Sequence, residues 1–148
     1  MKSLVVYDSL YGNTQKIAEA VADEIEGRAV KVQDFRKEML QDTTLLVVGC
    51  PIHGWRPSKP TIDFLASLPA ESLKGVEVAA FDTRIKGFFS GSASDKVNKK
   101  LVELGGRSVA PPGKFIVKGK TGPLAEGELE NAKLWAGDIM GYLDMEDV

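Results

Sequence analysis

Leu4-Val5-Val6-Tyr7-Asp8-Ser9-Leu10-Tyr11-Gly12-Asn13-Thr14 is the stretch from which the rest of the chain can be read. Leu4 to Tyr7 is a short apolar run without alternation, the pattern of a strand buried on both faces. Small and hydroxylic residues follow: Ser9, Gly12, Asn13 and Thr14. Ile17, Val21 and Ile25 then recur one turn apart with Ala18 and Ala22 beside them, which predicts a helix. A strand, a tight turn and a helix leave unpaired backbone N–H groups at the positive end of a helix dipole. A phosphate fits there. The Ser9 and Thr14 hydroxyls and the Asn13 amide can add neutral hydrogen bonds. The same residue types are ordinary helix caps, so an empty cap and a phosphate site both stand at this point. Neither G-x-x-x-x-G-K-[ST] nor G-x-G-x-x-G is present, and Lys16 is the only cation nearby. The predicted guest is a phosphate held mainly by neutral donors, without a magnesium site.

Outward from this stretch, the chain alternates strands and helices. Gly27 ends the first helix. Ala29 to Val32 reads as a partly polar edge strand, and Asp34 to Asp42 as a polar connection with a helical turn. Leu45-Leu46-Val47-Val48-Gly49 is a second apolar run, for the middle of the sheet. Cys50 to Lys59 reads as a loop, and Pro60 to Leu68 as a helix with Pro early, where its missing N–H costs little. Val76 to Phe81 is a third central strand, followed by a loop from Asp82 to Gly91. Ser92-Ala93-Ser94-Asp95 has capping-box spacing before a helix carrying Val97, Leu101 and Leu104, and Gly105-Gly106 stops it. Val109 and Phe115 to Val117 make a last strand, interrupted by Pro111-Pro112 and so suited to an edge. Thr121-Gly122-Pro123 is a turn. Leu129, Ala132, Ala136, Ile139, Met140 and Leu143 define a closing helix. This alternation implies an α/β fold with a parallel sheet and right-handed crossovers. Three loops leave the carboxyl ends of the three most apolar strands: Asp8 to Thr14, Cys50 to Lys59, and Asp82 to Gly91. Ligands of open parallel sheets bind at that edge.

The 148 residues suit one domain, 1–148, with room for a core. Apolar content of 43% and charged content of 27% fit a globular chain. A formal net charge of −2 gives no nucleic-acid footprint. No apolar run approaches the ~20 residues of a membrane span. No signal-peptide pattern precedes the first strand, and a single cysteine, Cys50, cannot form an internal disulfide. A cytoplasmic location is the expectation.

Ser9-Leu10-Tyr11-Gly12-Asn13-Thr14 resembles the [ST]-x-[TY]-G-N-T loop that holds the FMN phosphate in flavodoxins. The flanking strand and helix and the chain length match as well. The resemblance implies a flavodoxin-like, three-layer, doubly wound parallel sheet of five strands. Its strand order would be 2-1-3-4-5 with FMN at the switch between strands one and three, as is known for flavodoxins. It also implies contacts to FMN from Ser9, Leu10, Tyr11, Gly12, Asn13 and Thr14. Gly49-Cys50-Pro51-Ile52-His53-Gly54-Trp55 sits where flavodoxins carry G-[CS]-x-x-[aromatic]-G-[DE]. By that correspondence Pro51, Ile52, His53, Gly54 and Trp55 meet the ring. His53 takes the aromatic position, Gly54 the glycine whose peptide can turn, and Trp55 replaces the usual acid. His53 and Trp55 are both candidates to stack. In the third loop, Asp82, Thr83 and Arg84 are implied near the pyrimidine edge, with backbone N–H groups as donors. Phe89 or Phe88 would shield the other face.

His53, the only histidine, has no Cys, His or carboxylate cluster with it in the sequence, so no metal is expected. Cys50 reads as a packed thiol. Arg56, Lys59, Arg84 and Lys86 occupy loops that are acidic in strongly reducing family members. Cations near an anion stabilise it, so the second one-electron reduction is expected to be easier here. A histidine near the ring would make that step sensitive to pH around neutrality. No nucleophile–base pair or paired acid–base site is evident. The leading expectation is an electron carrier, a monomer or weak homodimer, that docks transiently on redox partner proteins. The alternatives are a small FMN oxidoreductase acting on a quinone or similar substrate, and a flavin-free regulatory module.

Overall fold

Both registers of the first strand are apolar, so both of its faces need a cover. The computed structural model describes residues 2–53, 56–86 and 93–146 and supplies two such covers. The strands are β1 (Ser3–Tyr7), β2 (Arg28–Lys31), β3 (Leu45–His53), β4 (Arg56–Pro57), β5 (Glu77–Ile85), β6 (Arg107–Ser108) and β7 (Gly113–Val117). The helices are α1 (Asn13–Glu24), α2 (Lys59–Ser67), α3 (Ala93–Glu103) and α4 (Glu128–Glu146). Two single 3₁₀ turns, Val32–Asp34 and Lys37–Leu40, fill the polar connection after β2.

Val5, Tyr7, Leu45, Val47, Ala79 and Phe81 pack on one side against α1 and α4, through residues such as Ile17, Val21, Ala136 and Ile139. Leu4, Val6, Leu46, Val48, Val78 and Ala80 pack on the other side against α2 and α3, through Phe64, Leu65, Val97 and Leu101. The result is three layers. Each fully buried aliphatic side chain contributes roughly 1.5–3 kcal/mol.

The parallel sheet has the order β2-β1-β3-β5-β6, with β7 also paired to β5. β6 and β7 are two pieces of one edge position, beside Glu77–Val78 and Phe81–Ile85 respectively. Pro111-Pro112 falls between them, where a residue without N–H breaks a ladder. Counted by position, the order is the expected 2-1-3-4-5. Pairing through Gly49↔Phe81 brings the Phe81 ring over Gly49, where an added Cβ would lie 2.0 Å from it. Phe81 meets Phe115 and Trp135 edge-on, each at 5.9 Å between centroids. The Trp135 indole N–H donates to the Pro111 carbonyl at 3.0 Å and ties α4 to the broken edge.

Two strands run further than the sequence reading, and Val109, read as part of the last strand, falls just past β6. β3 runs on to His53 and β5 to Ile85, through segments expected to be loop. The ladder continues because Cys50↔Asp82 and Pro51↔Thr83 still pair. β1 has already ended opposite Gly49, so Pro51 needs no N–H for that side. β4 then pairs antiparallel with the end of β3, Ile52↔Pro57 and His53↔Arg56. Among the described residues no helix is long and apolar enough to cross a membrane.

Candidate functional site

The site grows from the turn between β1 and α1. Gly12 precedes the helix at φ +92°, a left-handed conformation that disfavours a side chain. No side chain caps the helix from that position. Ser9 does part of the work instead: its hydroxyl oxygen accepts the N–H of Gly12 at 3.0 Å and of Gln15 at 3.3 Å. A hydroxyl that accepts twice keeps its own proton to donate. Among the described residues, the N–H groups of Leu10, Tyr11, Asn13 and Thr14 meet no protein acceptor. So the turn is held open by one serine, with four donors left over at the positive end of α1.

These donors open on a cavity of about 440 Å³ at the carboxyl ends of β1, β3 and β5. Ser9, Leu10, Tyr11, Asn13 and Thr14 form one wall. Pro51, Ile52 and His53 form a second, and Thr83 and Arg84 a third. Thr14 and Thr83, both buried, share a hydrogen bond at 2.8 Å between hydroxyls and lock the first wall to the third. Leu10 and Tyr11 are exposed at the rim. Thus ten of the sequence-derived site residues border one cavity. Gly12 shapes the turn without lining it. Gly54, Trp55, Phe88 and Phe89 lie outside the described residues, as does Ser92 of the expected capping box.

The third wall departs from expectation in three respects. Thr83 and Arg84 are strand residues opposite Phe115 and Ile116, so they sit within the sheet rather than in a free loop. Asp82 does not border the cavity. It is fully buried beneath it, accepting from Arg84 Nε at 2.8 Å and Nη2 at 2.6 Å. The same carboxylate accepts the Ser94 N–H at 2.8 Å and so caps α3 from a neighbouring strand. The third respect is charge. Arg84 is matched by Asp82, whose hydrogen bonds raise the guanidinium's proton affinity above its ordinary value. Lys59 is bound to Asp63 at 2.9 Å. Two of the four cations counted from the sequence are therefore already compensated. Arg56 and Lys86 are exposed.

Cys50 is fully buried, and burial, with the Asp82 charge behind it, pushes its thiol up to about 12. At neutral pH it is a packed thiol with no nucleophilic role.

Three cavity residues escaped the sequence reading: Ile85, Val117 and Lys120. Ile85 belongs to the hidden extension of β5. Val117 and Lys120 end β7 and begin the turn that leads to α4. Their signal was present in the layer pattern: α1 and α4 cover the same face, so the turns that precede them are neighbours. Among the described residues no carboxylate borders the cavity. The open turn, its unmatched donors and the acid-free lining fit a phosphate monoester carrying a flat group.

A family model described as flavodoxin matches residues 5–135. An uncharacterized protein of Methanocaldococcus jannaschii is 27% identical over 107 residues, 70% of this chain and 71% of that one. Oxidised flavodoxin 1 from Bacillus cereus superposes with a TM-score of 0.80 at 18% identity, covering 95% of this chain and 98% of that chain. A flavodoxin from the domain Archaea gives a TM-score of 0.77 at 24% identity, covering 97% and 99%.

Proposed function

The chain belongs to the flavodoxin family, and from that premise we propose that it binds FMN and carries electrons between redox partner proteins. The observation that supports this most is the set of four N–H groups without protein acceptors among the described residues, opening on the cavity of about 440 Å³. FMN, when bound, supplies the one- and two-electron redox chemistry. The protein supplies the rest. The Leu10, Tyr11, Asn13 and Thr14 amides and the Ser9 hydroxyl hold the phosphate. Ile52, Ile85 and Val117 keep water from the flat group. His53 borders it from the end of β3. The Thr14–Thr83 bond fixes the distance between the phosphate end and the β5 wall. The exposed rim at Leu10 and Tyr11 is where a partner would approach, transiently, on a monomer or weak homodimer in the cytoplasm.

One anaerobic reductive titration tests the proposal. The reconstituted protein should take up two electrons per flavin in two resolved one-electron steps and pass them to a redox protein. Turnover of a nicotinamide nucleotide with a quinone, without an added reductase, would instead make it an enzyme. A colourless protein that takes up no FMN would reject the flavin reading altogether.

A further inference from the structure

Among the described residues two cationic side chains of lysine or arginine border the cavity, Arg84 and Lys120. They are not equivalent. Arg84 is held by the fully buried Asp82 in a partly buried ion pair and presents little net charge. Lys120 is exposed, and among the described residues no carboxylate pairs with it. Its position is fixed by backbone. Lys120 is the second residue of a turn closed by the Gly122 N–H to the Gly119 carbonyl at 3.0 Å. The base of that turn is tied by the Lys118 N–H to the Pro123 carbonyl at 2.8 Å. The turn rests on the first residue of α1: a Cβ on Gly122 would lie 2.6 Å from Asn13 Oδ1 and 2.8 Å from Nδ2. So an uncompensated ammonium stands on a braced turn packed against the same helix start that offers the free donors.

We propose that Lys120 is a cationic anchor for the phosphate monoester, added to the neutral cradle, and that it makes the preference for a phosphorylated flavin charge-dependent. The inference rests on the FMN reading above. It differs from what the first stretch alone implies, which is a phosphate held mainly by neutral donors. An exposed lysine beside a dianion acts through a screened Coulomb attraction, so its contribution is greatest at low ionic strength. A riboflavin lacking the phosphate gives it nothing to attract.

The test is flavin affinity, read from quenching of flavin fluorescence on titration with apoprotein. FMN and riboflavin are each measured at low and high salt, with the wild type, Lys120→Gln and Lys120→Arg. Lys120→Gln should weaken FMN about tenfold at low salt, an effect of the size expected for one partly screened charge on a dianion. The same change should leave riboflavin unaltered and flatten the salt dependence for FMN. Lys120→Arg should restore both, because the charge is kept. Equal weakening of FMN and riboflavin would mean that the turn is merely structural and would overturn the proposal. So would unchanged FMN affinity in Lys120→Gln. Failure of the wild type to take up FMN would bring down the FMN reading and this inference together. Uptake by the wild type with no effect of Lys120→Gln would bring down only the inference.

Discussion

The two ends of the cavity are built by opposite means. At the β1–α1 end, one continuous stretch, Ser9 to Thr14, makes the wall, with every residue but Gly12 bordering the cavity, and the groups that matter are backbone N–H groups opened by Gly12 and Ser9. At the β5 end, the wall is assembled from distant partners: Asp82 with Arg84 and Ser94, Thr83 with Thr14, and β5 with β7. The first end depends on local conformation and leaves donors free. The second depends on buried pairs and has its polar groups satisfied. On the FMN reading proposed above, binding capacity and stability are separated along the cavity: the ligand-directed end is thinly supported, and the other end holds the frame.

Substitutions should show that separation. Asp82→Ala should have the largest effect. It strands a mostly buried guanidinium and uncaps α3, so a loss of about 3 kcal/mol is expected in urea unfolding. A loss below about 1 kcal/mol would erase the contrast. Gly12→Ala comes next. Among the described residues nothing lies within 4 Å of its added Cβ, so the cost is the positive φ alone, about 1–2 kcal/mol of stability. Its FMN affinity should fall by far more than the stability loss implies, because the turn carrying the donors shifts. An unaffected affinity would deny the turn its role.

These two positions also mark how much the sequence revealed. The β1 run, the turn and α1 were legible because the strand, the breaker residues and the helical period are contiguous. Asp82 was not, because a polar residue after the run Val76 to Phe81 reads as the start of a loop. Its partners, Arg84 and the N-terminus of α3, keep it in the sheet, and no local pattern announces a cap supplied twelve residues upstream. The same cause hid the extension of β3 through Pro51 to His53. Lys120 was missed because its turn meets the start of α1, through Gly122 and Asn13, only when α1 and α4 share a face.

The Thr14–Thr83 bond joins the two ends, and a double-mutant cycle sharpens the comparison. Thr14→Val and Thr83→Val should each cost about 1–2 kcal/mol, and the double variant less than their sum by about 1 kcal/mol. Strict additivity would show that the ends are energetically independent. The smallest effect belongs to Cys50. Its thiol ordinarily ionises at 9.0 and is held to about 12 in the folded protein. Stability from this group is therefore complete below pH 9 and lost as pH rises from 9 toward 12. The drop in stability between pH 8 and pH 9.5 should be smaller in Cys50→Ala than in the wild type, by about 1 kcal/mol or less. A larger drop in the variant would contradict the sign.

The most direct test is an amide NMR titration of the ¹⁵N-labelled apoprotein with FMN. The N–H resonances of Leu10, Tyr11, Asn13 and Thr14 should shift together and saturate at one equivalent, with Thr83 and Lys120 following. Shifts that spare the β1–α1 turn, or no saturable shift at all, would contradict the account.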